Sequence, residues 1–120
     1  MINPGIKKII EENACGLATV DEKGNPHNIA VGDVKVISKN QILIGNNYMT
    51  ETIKNIKKSS NVALVVWCSN WKKSCIGYEL KGKAKHFTEG KWKEMIKKIH
   101  KGFPAKGAFL VTINKIKVLA

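Results

Sequence analysis

From residue 14 onward the chain is cut into short apolar and β-branched runs, each bounded by turn residues. That spacing leaves an antiparallel sheet of hairpins as the main solution for the fold. Residues 14–20 form the first run and end at Asp21-Glu22-Lys23-Gly24-Asn25, whose residue types suit a tight turn. Pro26 opens a second run that reaches Val31, where Gly32 breaks it. Residues 34–37 and 41–44 make another hairpin around Ser38-Lys39-Asn40. Residues 61–67 are a continuous β-branched run, the pattern of a strand buried on both faces. After a loop at 69–74, a longer strand is expected over 75–87, with Ile76, Tyr78 and Leu80 alternating with Glu79 and Lys81. Two last strands, 108–113 and 115–119, finish the chain.

Three helices punctuate these strands. Asn3 followed by Pro4 is a helix start, a side-chain oxygen cap and then a ring that fits the first helical position. Ile6, Ile9 and Ile10 follow on one face, and the helix stops at Asn13. Residues 50–58 have helical spacing, with Met49, Ile53 and Ile56 on one side. Thr88 and Glu89 lead into the third helix, which carries Trp92, Met95, Ile96 and Ile99 on one face and reads as core. The expected fold class is α+β, mainly β. Six or seven antiparallel strands form a small closed or nearly closed barrel with three short helices, in one domain over residues 1–120.

The charge narrows the function. Lysine plus arginine totals 21 against 9 acidic residues, a formal net charge of +12, and every one of those cations is lysine. Arginine reads guanine edges and clamps phosphates with two parallel hydrogen bonds, whereas lysine offers a point charge. A sequence-specific DNA reader is therefore not expected, and an electrostatic binder of phosphate stays open. The longest apolar run, residues 62–68, is too short to span a bilayer. Met1-Ile2-Asn3-Pro4 does not lead into a secretory signal, so a cytoplasmic protein without membrane association is expected. Cys15, Cys68 and Cys75 are an odd set and make no disulfide framework. At this length one core is only moderately deep, and an oligomer helps to bury surface.

Three stretches carry more information. Gly16-Leu-Ala-Thr-Val20 with Asp21-Glu-Lys-Gly-Asn25 and Pro26-His-Asn-Ile-Ala-Val31 is a small-residue hairpin. Asn46-Asn-Tyr-Met-Thr-Glu-Thr-Ile-Lys-Asn-Ile56 is a strand end running into a hydroxyl-rich helix start, with lysine within a turn. Tyr78-Glu-Leu-Lys-Gly-Lys-Ala84 places a glycine inside a long strand, where something approaches the backbone closely. In this order, over residues 14–113, they resemble the FMN-binding split-barrel family related to pyridoxamine 5'-phosphate oxidase. The likeness is greatest to its short single-domain flavoproteins.

The resemblance implies a split barrel that forms a homodimer, with two FMN molecules in clefts between the chains. It implies that the phosphate sits at the loop and helix spanning Asn47 to Asn55, served by the hydroxyls of Thr50 and Thr52 and the charge of Lys54. It places the isoalloxazine ring against the backbone of Asn28, Ile29, Ala30, Val31 and Gly32, and of Ile44, Gly45, Asn46 and Asn47. Gly32 and Gly45 would leave room for a flat ring, or merely shape barrel corners. The partner chain would contribute Phe103, Pro104 and Lys106, with Phe103 or Trp71 packing on the flavin. Glu51 departs from the family pattern, in which many relatives carry a cation at or beside that position. The activity implied is a flavin-dependent oxidoreductase or electron carrier acting on a small molecule or redox partner, with no catalytic residue singled out.

The remaining candidates read as structure. His27 follows a proline at a strand start and is expected to be exposed. His86 and His100 have no carboxylate nearby in the sequence and suggest no metal site. Cys68 and Cys75 flank a loop and could meet across a hairpin. Trp67 reads as core and Trp71 as a dimer or flavin contact. Together with Lys72 and Lys73 they also suit a different class of function, a basic small-barrel module binding single-stranded nucleic acid, which the missing arginine makes the lesser expectation.

Overall fold

The computed structural model describes residues 1–119. The chain runs α1 (Pro4–Glu12), β1 (Cys15–Val20), β2 (Pro26–Val31), β3 (Val34–Ser38), β4 (Gln41–Asn46), α2 (Glu51–Lys58), β5 (Asn61–Trp67), α3 (Trp71–Ser74), β6 (Gly77–Phe87), α4 (Lys91–Ile99) and β7 (Gly107–Val118). All seven strands belong to one antiparallel sheet, in the order β2-β1-β5-β6-β7-β4-β3. The long strands β6 and β7 pair with each other from Tyr78–Val118 to Phe87–Ala108. β5 occupies the first half of β6, and β4 the first half of β7. The sheet is thus two halves joined by one long ladder, a split barrel with β2 and β3 as its terminal strands.

Local chemistry explains the elements. The Asn3 side chain accepts from the Ile6 N–H at 2.9 Å and caps α1. The Asp21 carboxylate accepts from the backbone N–H groups of Lys23 and Asn25 at 2.9 and 2.8 Å, closing the β1–β2 turn. Those bonds, foremost the ones from Asn25, hold its pKa below the usual carboxylate value. The β3 edge is covered by α1: Glu11 Oε2 accepts from the Val36 N–H at 2.8 Å, and the Ile2 N–H donates to the Lys39 carbonyl at 2.8 Å. An edge donor that would otherwise face solvent or another chain is satisfied within the molecule.

Two expectations about the elements are corrected. Residues 108–113 and 115–119 are one strand, because Lys81 pairs with Lys115 and Gly82 with Ile113, leaving Asn114 as a bulged extra residue. The loop at 69–74 holds a single helical turn, α3, which ends where Cys75 turns left-handed at φ 46°.

The main core gathers Ile6 and Ile10 of α1, Leu17 of β1, Leu64 and Val66 of β5, Leu80 of β6, and Phe109 and Val111 of β7. Ile56 of α2 joins it, with Met49 and Ile53 packed alongside. A second cluster forms where Ile96 of α4 meets Leu43, Ala105 and Ala108, with Trp92 and Met95 against it, as the helical spacing predicts. Trp67 was expected in the core but points outward and is 37% exposed. No helix among the described residues is long and apolar enough to cross a membrane.

Cys15 lies in the main core, and burial pushes its thiol up to about 11. Cys75 is exposed and Cys68 half-buried. A thiol reagent at mildly alkaline pH is therefore expected to modify Cys75 and Cys68 in the native protein. Cys15 should react only on unfolding, and mass spectrometry of the labelled protein checks the order.

Candidate functional site

A cleft of about 680 Å³ opens where the end of β2 and the β2–β3 link face the end of β4, the amino end of α2 and the segment after α4. One wall is strand backbone, Ile29, Ala30, Val31 and Gly32, with Gly45 beside them. Asn47, Thr50 and Thr52 line the opposite side, and Phe103 stands at the mouth, more than half exposed. The expected site residues in this set come from four separate stretches of chain, brought together because β2 and β4 end, and α2 begins, at the same side of the barrel.

Others lie elsewhere. Asn28 alternates to the opposite face of β2, its side chain over Gly16. Ile44 is wholly buried in the main core. Asn46 is buried, its side-chain oxygen accepting from the Met49 N–H at 3.1 Å and shaping the turn into α2. Lys54 sits on the exposed side of α2, and Pro104 is exposed next to Phe103; neither lines the cleft. Phe103 faces the cleft of its own chain. Trp71 is remote from it, lining a separate apolar cleft with Val65, Trp67, Gly77 and Leu119.

The two glycines expected to make room differ. A Cβ at Gly32 would meet nothing within 4 Å, so that part of the wall is open. A Cβ at Gly45 would overlap the Asp33 carboxylate and come within 3.0 Å of Ile96. The missing side chain at Gly45 therefore seats an acid, not a ring.

Two ionisable pairs that the sequence reading did not assemble also line the cleft. His27 of β2 is half-buried, with Nδ1 2.5 Å from Glu51 Oε2 at the start of α2. His100, which follows α4, places Nε2 2.8 Å from Oδ1 of Asp33, in the β2–β3 link. The absence of a carboxylate near His100 in the sequence thus does not hold in space. Oδ1 is buried without a hydrogen-bond partner, so His100 serves it as an electrostatic neighbour. Oδ2 accepts from Asn47 Nδ2 at a long 3.4 Å, and Asn47 Oδ1 in turn accepts from the Ala105 N–H at 3.0 Å. The one available signal was an acid set between two apolar strand ends, Val31-Gly32-Asp33-Val34.

Burial raises the pKa of Asp33, opposed by the charge of His100 and the bond from Asn47. The folded protein then holds this proton to higher pH than the unfolded chain does. Between the ordinary aspartate value and the raised one the native state binds more protons, so stability falls as pH rises through that interval. Denaturant midpoints measured from about pH 4 upward should show this decline in the wild type, and Asp33→Asn should flatten it.

At the other end of the cleft, Thr50 is the N-cap residue of α2 but makes no side-chain cap bond, and Thr52 is buried in the first turn. The first N–H groups of a helix have no partner within it and carry partial positive charge. The cleft therefore pairs an open apolar strand wall with a polar, donor-rich end. Among the described residues no cluster of three or more histidine, cysteine or acidic side chains is placed to hold a metal.

Comparison with known proteins bears on the fold and the family. An uncharacterised protein of Methanocaldococcus jannaschii is 30% identical over 115 residues, spanning 91% of this chain and 74% of that one. The crystal structure of HupZ from Group A Streptococcus superposes with a TM-score of 0.89 at 24% identity, covering 99% of this chain and 94% of HupZ. That of an FMN-binding protein from Syntrophomonas wolfei subsp. wolfei gives 0.83 at 22% identity, covering 95% and 83%. At these identities the two crystal structures establish the fold. The family model for pyridoxamine 5'-phosphate oxidase matches residues 2–120, and the chain belongs to that family.

Proposed function

We propose that this protein is an FMN-binding flavoprotein, a flavin-dependent oxidoreductase or electron carrier acting on a small molecule, with FMN held between the chains of a homodimer. One observation carries the reading: a single cleft joins an open apolar strand wall at Ile29–Gly32 to the amino end of α2. A flat ring system suits the first and a phosphate the second.

The residues present fit such a group. Gly32 leaves open space beside the wall, and the Thr50 side chain makes no cap bond to its own helix. Glu51, the departure from the family pattern, is paired with His27, which offsets its repulsion of a phosphate when the imidazole is protonated. Thr50, Thr52 and the first amides of α2 would hold the phosphate, and Ile29, Val31 and Met49 would flank the ring. FMN bound there would supply the electron-transfer chemistry. Tyr48 and Phe103, both largely exposed at the mouth, and the free outer edge of β2 are surfaces that a second copy would cover.

The test is direct. Purified protein is expected to be yellow or to quench FMN fluorescence on titration, and to sediment as a dimer. Protein that stays colourless and leaves the fluorescence of added FMN unchanged overturns the reading.

A second reading rests on Trp67 and Trp71, which are each more than one-third exposed next to the exposed Lys72 and Lys73. Such a surface suits single-stranded nucleic acid, and binding there would weaken steeply with salt. Oligonucleotide titrations followed by tryptophan fluorescence decide it; no quenching at low salt removes this reading.

A further inference from the structure

Flavin binding leaves one feature of the cleft unexplained. The Asp33 side chain is only 9% exposed, and a buried carboxylate is costly unless partnered. Its seat is nevertheless built for it. Oδ2 rests against the Gly45 backbone in space that any side chain would fill, and Asn47 bonds it while tethering the Ala105 amide. Oδ1 is buried and lacks an aligned hydrogen bond, although His100 Nε2 lies 2.8 Å away. The imidazole is 27% exposed and lines the cleft, and its other nitrogen, Nδ1, makes no hydrogen bond to a described residue. A buried acid behind a part-exposed imidazole orients the ring and fixes which nitrogen is offered to a ligand. Such bonds are often poorly aligned until the site is filled.

We propose that Asp33 and His100 form a proton-exchanging couple of this cleft. His100 passes a proton from Nδ1 to a nitrogen or oxygen of the bound small molecule, and Asp33 is the positioning residue that holds the ring through Nε2. In the transfer the Nδ1–H bond breaks as an N–H or O–H bond forms on the bound molecule. The neutral imidazole then regains its proton from water at its exposed edge, and no electron moves on the protein. The substrate class is accordingly one that takes up a proton as it is reduced, which rests on the flavoprotein reading. Other ionisable groups nearby are Lys97, Lys98 and Lys101, flanking His100 in the chain, and His27, Glu51 and Tyr48 along the cleft. Glu51 is engaged by His27, which leaves Asp33 as the carboxylate on His100.

Nuclear magnetic resonance of the imidazole nitrogens and the Asp33 carboxyl carbon tests the couple, with and without excess FMN. The Nε2 proton of His100 is expected to exchange with water more slowly in the wild type than in Asp33→Asn, which removes the carboxylate 2.8 Å from that nitrogen. His100→Gln should shift the Asp33 titration upward, because it removes the charge that opposes burial. Gly45→Ala, which displaces the carboxylate from its seat, should reproduce the Asp33→Asn result, and Asp33→Glu should restore part of the protection. Added FMN should move the Nδ1 signal of His100. The proposal is overturned if Asp33→Asn leaves the Nε2 proton as protected as before. It is equally overturned if FMN shifts the amides of Ile29 and Thr52 while His100 stays unmoved. FMN that shifts no signal at all refutes the flavoprotein reading instead, and the couple then stands or falls on the Asp33→Asn result.

Discussion

Replacing Gly82 by alanine is expected to destabilise the fold by about 3 kcal/mol or more, a large part of the roughly 5–15 kcal/mol that holds a domain of this kind together. A Cβ on Gly82 would overlap the carbonyl oxygen of Thr112, with the Thr112 carbonyl carbon at 2.9 Å and the Ile113 Cα at 3.0 Å. All three are backbone atoms, so no change of rotamer relieves the clash. The strands must separate at the point where the register shifts past Asn114, on the ladder that joins the two halves of the barrel. Urea unfolding of the two proteins measures the difference. A loss below about 1 kcal/mol would mean that the ladder yields there, contrary to the close packing of native interiors.

Gly32→Phe should do the opposite, leaving stability nearly intact and removing ligand binding. A Cβ there meets nothing within 4 Å and the backbone is not left-handed, so the ring has somewhere to go: into the cleft, against the wall of Ile29 and Val31. A phenyl group in the space of a flat ligand is expected to weaken FMN binding by more than about 3 kcal/mol, roughly a hundredfold or more in Kd. The unfolding free energy should stay within about 0.5 kcal/mol of the wild type. Fluorescence titration and unfolding on the same preparation check both halves. Unchanged FMN affinity would place the ligand outside this cleft. The contrast between the two glycines is one of surroundings, since one meets backbone and the other open space.

The strand pattern was legible because turns and strands are local. Asp21 to Asn25 closes its hairpin with bonds inside five residues, and the Asn3 cap satisfies its own helix. The glycine in Tyr78–Ala84 announced a close approach, and the approaching group is the backbone of β7. The merging of the last two strands was not legible, because a bulged residue and a turn residue look alike until the partner strand sets the register. Trp67 was misplaced for a related reason. A run of apolar residues does not tell which alternate positions face inward, and here Val62, Leu64 and Val66 do while Trp67 faces out.

The candidate site divides along the same line. Thr50, Thr52 and the wall from Ile29 to Gly32 were expected from the family resemblance that their stretches of chain carry, and they do line one cleft. His27 with Glu51, and His100 with Asp33, were not expected, because each pair joins elements far apart in sequence whose approach depends on how β2, β4, α2 and α4 pack. The lysine excess behaves likewise: composition establishes the +12 charge, but Lys54 turned out to lie off the cleft. By itself the sequence determined the order and type of the main elements, through turn chemistry, capping and hydrophobic period acting over a few residues. Only the tertiary structure decided which charged groups share the cleft and which glycine leaves it open, because burial and charge pairing are properties of neighbours in space.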